Sequence, residues 1–137
     1  MYTHMETMIK NAKKSVYIMT SSKGLVRKAD TMRQAIQQLS KRGIDVRIAA
    51  DLDEESLPIA KDLTNFARVK AVDKIQARFC IVDNKELMFM VMDDKDVHPT
   101  YDVGIWVNTP YFASALGNMF NLAWKNMKDA TVLKTKK

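Results

Sequence analysis

The chain has almost no cysteine. One thiol, Cys80, stands among 137 residues, so neither an intrachain disulfide framework nor a cysteine-based metal site can form, and a reducing cytoplasm suits the protein. Glycine and proline are scarce too, with four and three copies. There is no glycine-rich phosphate loop, no nucleophile elbow and no zinc-ligand spacing. The two histidines, His4 and His98, read as an exposed helix residue and a loop residue before Pro99. No apolar run reaches the roughly 18 residues of a membrane span, and the N-terminus lacks a charged-then-apolar signal pattern. No membrane partner is therefore expected. Linkers, internal repeats and low-complexity segments are also missing, which leaves residues 1–137 as one domain.

What is present is an ordinary globular composition, 47% hydrophobic and 28% charged, in a chain long enough to bury a core. The net charge is +6, which permits attraction to nucleic acid or acidic ligands. Lys134, Lys136 and Lys137 supply three of those charges, and a frayed basic tail is the plainer account of them.

Periodicity alternates between helix and strand. Met5, Met8, Ile9 and Ala12 already follow helical spacing, as expected of a domain cut from a longer chain. Ser15–Thr20 reads as a strand and Thr20–Gly24 as a loop. Leu25, Ala29, Met32, Ile36 and Leu39 then lay one stripe along a single helix ending near Arg42, with Gly43 at the left-handed C′ position. Asp45–Ala50 is a strand, Asp51–Ser56 an acidic loop or helix start, and Ile59, Leu63 and Phe66 mark a short helix with Pro58 in its first turn. Ala67–Val72 alternates as a half-exposed strand. After a polar connection over residues 93–100, Tyr101–Val107 is a strand. Thr109 caps a long final helix with Pro110 at N1, marked by Phe112, Leu116, Met119, Phe120, Ala123, Trp124 and Met127. The fold class is α/β, a mixed β-sheet with helices on both faces.

The most informative stretch is Lys74–Leu87. Phe79–Val82 is apolar on both faces and reads as the middle strand of the sheet. Gln76 and Arg78 precede it on one face because the strand period is two. Asp83 and Asn84 favour a tight turn, and Leu87–Met92 follows as the hairpin partner, with Met88, Met90 and Met92 on one face. Core filling is the plain reading of those methionines, and a re-packing partner surface the alternative. Trp106 and Trp124 read as core or interface anchors.

Written as spacings, Gln76-x-Arg78-x4-Asp83 resembles a degenerate phospholipase D signature, His-x-Lys-x4-Asp. Within that superfamily the chain is most similar to the phospholipase D-like C-terminal domain of TrmB-type archaeal transcription regulators. Leu39–Ile48, Gly104–Val107 and Phe120–Trp124 add to the likeness, which covers most of the chain. The resemblance implies a phospholipase D-like sandwich, a DNA-binding winged helix that precedes this domain and is absent from this chain, a homodimer, and a regulatory role. In the catalytic members a histidine attacks phosphorus while lysines hold the phosphate oxygens.

Glutamine cannot replace that histidine, because its amide nitrogen is delocalised into the carbonyl and is neither basic nor nucleophilic. Arg78 keeps a permanent cation with a planar donor fork for phosphate or carboxylate. Gln76, Arg78 and Asp83 therefore form a candidate anion-binding site without a catalytic residue. The alternatives are structural: Arg78 in an ion pair at the sheet end, Asp83 as a turn former, and Cys80 as a packed core residue. The expected function is a noncatalytic effector-sensing or dimerisation domain of a TrmB-like regulator, with a small-molecule or anionic effector and no cofactor. The other readings are a phospholipase D-type phosphodiesterase or nuclease with a substituted nucleophile, and direct DNA binding by this domain.

Overall fold

The computed structural model describes residues 2–73, 77–90 and 104–132, and side chains between residues 6 and 131 within those spans. In chain order the elements are α1 (Tyr2–Lys10), β1 (Ser15–Thr20), α2 (Ser22–Arg27), α3 (Ala29–Lys41), β2 (Asp45–Ala50), α4 (Leu57–Leu63), β3 (Arg68–Ala71), β4 (Phe79–Val82), β5 (Glu86–Met90), β6 (Gly104–Asn108), α5 (Pro110–Trp124) and β7 (Lys128–Asp129), followed by a 3-10 turn over Ala130–Val132. The strands form one sheet in the order β6-β5-β4-β1-β2-β3-β7. β1, β2 and β3 run parallel, and the other neighbours pair antiparallel. The sheet is mixed, as the alternating pattern implied.

The middle strand is β1, not the apolar Phe79–Val82 segment, which lies one place to the side. β1 has a parallel neighbour on one edge and an antiparallel one on the other. Every residue of β1 except Met19 is buried. Its Ser15, Tyr17 and Thr20 disguise that position in the sequence, because hydropathy alone ranks β4 as the more interior strand.

Two cores follow from strand alternation. On one face, Val16, Ile18, Ile48, Val69, Cys80, Val82 and Met88 meet the apolar stripes of α1, α3 and α4. Ile36, Leu39 and Leu63 are among the fully buried side chains there, each worth about 1.5–3 kcal/mol of burial. Met88 and Met90 belong to this core, so core filling is the correct reading for them, while Met92 lies outside the described residues. On the opposite face, Tyr17, Ile81 and Leu87 meet Ala113, Phe120 and Trp124 of α5. Tyr17 and Phe120 stack at 5.3 Å between ring centroids. Among the described residues α5 is the single helix on this face.

The expected long second helix is two. Ser21 caps α2, its side chain accepting from the Gly24 N–H, and Lys28 at φ −106 and ψ 10 breaks the helical path before α3. The four-three spacing runs unbroken through the junction because both helices lay their apolar sides on the same sheet. α3 ends as expected. Gly43 has φ +74, and the N–H groups of Gly43 and Ile44 bond the carbonyls of Ser40 and Leu39 at 3.1 Å each, the pairing that satisfies otherwise orphaned carbonyls at a helix end. Thr109 caps α5 by accepting from the Phe112 N–H. Of the residues that mark this helix, Phe112, Met119 and Ala123 are exposed.

Candidate functional site

Polar side chains are concentrated where β1 ends. Thr20, Ser21 and Ser22 are buried there, and so is Arg78 at 7% exposure. Met19 pairs with Phe79, so the same register carried one residue further sets Thr20 beside Arg78. The ladder on the other side also continues, since the Met90 N–H donates to the Arg78 carbonyl at 2.9 Å. Strand alternation puts the side chains of Thr20, Arg78 and Cys80 on the face covered by α1 to α4.

The turn after β1 is tightly built. The Gly24 N–H donates to Ser21 Oγ at 3.0 Å, and the Ser22 N–H to Asp51 Oδ1 at 2.7 Å, which ties the end of β1 to the end of β2. A Cβ on Gly24 would fall 2.5 Å from Thr20 Oγ1, and Lys28 Cε lies 3.9 Å from the same point. Only glycine allows the approach. Lys28 thus reaches over the hydroxyl turn from the α2–α3 junction. It also lines, with Arg27, Glu6 and Ile9, a cleft of about 100 Å³ between α1 and that junction, a space for a few waters or a small ion.

The neighbouring Asp51–Ser56 segment carries the carboxylates. Asp53 Oδ1 accepts from the N–H groups of Glu55 and Ser56, each at 3.0 Å, and the Asp53 N–H donates to Ser56 Oγ at 3.0 Å. The Ser56 backbone bond, then the Ser22 hydroxyl, hold the Asp53 carboxyl below its ordinary value. Burial pushes the Cys80 thiol up to about 12, against the opposing pull of Lys28. Cys80 is a packed core residue and not a reactive thiol.

Of the three residues singled out by the signature spacing, the two described, Arg78 and Asp83, do not converge. Gln76 lies outside the described residues, as does His98. Asp83 sits at the other end of β4 from Arg78, five residues away and therefore about 16 Å along the strand. Its carboxylate takes the backbone N–H groups of Lys13, Lys14 and Ser15 at 2.7–3.1 Å. Asp83 is a clamp on the α1–β1 loop, and its turn-forming role is seen directly: Asp83 and Asn84 have φ of 56 and 55. Thr20, which the extended register sets beside Arg78, and the Ser21, Ser22 and Lys28 that adjoin Thr20 were not singled out in the sequence. Their one signal was a Thr-Ser-Ser-Lys-Gly run at a strand end.

The turn thus places the Thr20 and Ser21 hydroxyls, with Lys28 close by and Arg78 on the neighbouring strand, at the C-terminal end of parallel strands, where open α/β sheets bind ligands. No cluster of metal-ligating side chains occurs among the described residues.

Residues 2–131 match the family model for the EBD N-terminal subdomain of the transcriptional regulator TrmB. The chain belongs to the TrmB family. No curated protein sequence matches it. Among solved structures this TrmB-family domain is similar to TrmBL2, described as an archaeal chromatin protein with a novel mode of DNA binding, at TM-score 0.69 and 18% identity over 92% of this chain and 49% of TrmBL2. It spans about half of that protein's length. It is also similar to Nuc of Salmonella typhimurium, a phospholipase D family member, at TM-score 0.74 and 19% identity, covering 93% of this chain and 89% of Nuc. NucT from Helicobacter pylori matches at TM-score 0.70 and 14% identity, with 93% and 89% coverage. At these identities the likeness establishes the fold, which is that of phospholipase D proteins.

Proposed function

We propose that this domain is a noncatalytic regulatory domain of a TrmB-type transcription regulator, that it binds a small anionic effector at the end of β1, and that it acts as a homodimer. The observation that carries the reading is the buried Arg78 beside the buried Thr20–Ser22 turn, in a chain whose family is one of transcription regulators. Arg78 and Lys28 would supply the cations, and the Thr20 and Ser21 hydroxyls the remaining donors. Gln76 supports the absence of catalysis, since no nucleophile stands at the position where phospholipase D enzymes use histidine. The effector would act by preferring one arrangement of two copies, and that arrangement would set the spacing of DNA-reading elements elsewhere in the whole regulator.

A thermal-shift screen against phosphate, nucleotides, sugars and dicarboxylates tests this, with Arg78→Ala run beside the parent. A ligand at about 100 times its dissociation constant stabilises by about 2.7 kcal/mol, and Arg78→Ala should abolish the shift. Absence of any shift in the parent would overturn the sensor half of the reading. Hydrolysis of bis(p-nitrophenyl) phosphate by the parent, lost in Arg78→Ala, would replace it with the phosphodiesterase reading that the Nuc-like fold favours.

A further inference from the structure

Cations gather at one end of this domain. Lys10 closes α1, Lys13 and Lys14 lie in the loop before β1, Lys41 and Arg42 stand at the end of α3, and Lys85 sits in the β4–β5 turn. Strand register puts these segments side by side. Ser15 pairs with Asp45 on one edge of β1, and Val16 pairs with Val82 on the other, so the loop before β1 lies between the start of β2 and the end of β4. Hydrogen bonds tie the segments together. Arg42 Nη2 donates to the Lys10 carbonyl at 2.8 Å, the Asp45 N–H to the Lys14 carbonyl at 3.2 Å, and the Asp83 N–H to the Ser15 carbonyl at 2.9 Å. All six cationic residues are exposed, and none of them takes part in the ion pairs found among the described residues.

Little on the described surface cancels this charge. The Asp83 carboxylate is there, taken up by the N–H groups of Lys13, Lys14 and Ser15, and Asp45 pairs with Arg47 and Arg68. The C-terminal ends of α1 and α3 add about half a negative charge each, so that with Asp83 included an excess of about four positive charges remains. Helix capping therefore accounts for part of Lys10 and Lys41 and for none of Lys13, Lys14 and Lys85. The far end of the domain has the opposite sign. β2 starts here at Asp45 and leads to Asp51, Asp53, Glu54 and Glu55, about 20 Å away along the strand. Like charges crowded at one end raise the free energy of the isolated domain, and an anionic partner relieves that repulsion.

We propose that this end of the domain rests on the phosphate backbone of double-helical DNA without reading its sequence. The contact goes beyond the effector and dimer reading above and depends on neither. It uses only the family, which is one of transcription regulators and so places this domain near DNA. The chemistry of the surface selects the duplex among polyanions. None of the three segments, Lys10–Lys14, Lys41–Ile44 and Asp83–Lys85, carries an aromatic side chain, so an unpaired base has nothing there to stack on. A duplex, by contrast, presents an outer surface of phosphates at about one charge per 1.7 Å of axis. The cations are spread to meet several of them: their segments succeed one another across β2, β1 and β4, about 10 Å for two strand spacings before the lysine stems are added. Their main chain is also held in place, by Asp83 on the loop before β1 and by Arg42 on the end of α1, which favours a stiff partner of regular charge over a flexible acidic peptide. Lysines on loops act as point charges that position a duplex and do not specify its bases. The turn at the end of β1 lies one strand length away and stays open to its effector.

Fluorescence anisotropy of a labelled DNA duplex, titrated with the full 137-residue chain between about 0.05 M and about 0.2 M salt, tests this. The expected dissociation constant is about 1–100 µM near physiological salt, and its logarithm should follow that of salt with a slope of about 3.5 to 5.5, for four to six phosphates neutralised. A duplex of unrelated sequence should bind equally. Combining Lys13→Gln, Lys14→Gln and Lys85→Gln should lower the slope by about 2.7 and weaken binding at least about tenfold at the lower salt, without lowering the melting temperature. Combining Lys134→Gln, Lys136→Gln and Lys137→Gln changes the net charge by the same amount and should lower the slope less. The proposal is overturned by a loop variant that binds like the parent, by a tail variant that removes the whole salt dependence, by polyglutamate binding as tightly as the duplex, or by no binding at the lower salt. Arg78→Ala should bind the duplex like the parent, so failure of the effector site and failure of this contact read separately.

Discussion

Asp83 Oδ1 accepts the Lys14 backbone N–H at 2.7 Å, and the same carboxylate also takes the N–H groups of Lys13 and Ser15. One side chain thereby satisfies three successive amides at the entrance to the central strand, while its own backbone holds a left-handed turn. Asp83→Ala removes the acceptor and puts alanine at positive φ, and should destabilise by about 2–3 kcal/mol in urea unfolding. Asp83→Asn keeps one amide oxygen and tolerates the turn, so it should cost about 1 kcal/mol. Equal effects of the two substitutions would show that the clamp contributes nothing.

The other end of β4 gives a chemical test. With its thiol buried and pushed up to about 12, Cys80 should not react with a thiol reagent near pH 8 in the folded protein. One equivalent per chain should react in denaturant. Stoichiometric labelling of the native protein within minutes would contradict the packing of the α1-to-α4 core.

Asp53 governs a pH dependence. Its carboxyl titrates below the ordinary value of 3.8 because Ser56 and Ser22 hydrogen-bond the charged form. A lowered folded-state pKa contributes stability that is fully present above the unfolded pKa and is lost as pH falls through the folded one. The urea-midpoint difference between parent and Asp53→Asn should therefore be constant above about pH 5 and shrink as pH drops through 4 and below. A difference that stays level down to pH 3 would remove Asp53 from the account.

The C-terminal end of α5 carries no basic residue in its last turn, and Lys70 of β3 supplies one from outside. Its Nζ donates to the Trp124 carbonyl at 3.0 Å and lies 4.8 Å from the centroid of that residue's ring. Arg47 joins the group, bonding Asn121 Oδ1 at 2.9 Å and pairing with Asp45 at 3.2 Å. Lys70→Met should cost about 1 kcal/mol and speed amide exchange in the last turn of α5 before it affects β1. A double-mutant cycle with Arg47→Met should show coupling, since both cations lie against the Trp124 ring.

Much of the molecule was legible residue by residue. Gly43 ends α3, Thr109 and Pro110 open α5, and Asp83 and Asn84 turn the hairpin, because each depends on backbone preferences and caps that act within four residues. Alternation and helical spacing likewise located most of the strands and helices, and the signature spacing led to the family. Tertiary structure decided the rest. It made β1 the central strand, set Thr20 beside Arg78, and sent Asp83 to a loop about 16 Å away along β4. It also chose which apolar residues of α5 face solvent, since a helix with two apolar sides has no preferred side until a sheet covers one. The physical reason is common to these outcomes: strand order and register bring together residues tens of positions apart, and local periodicity holds no record of that pairing.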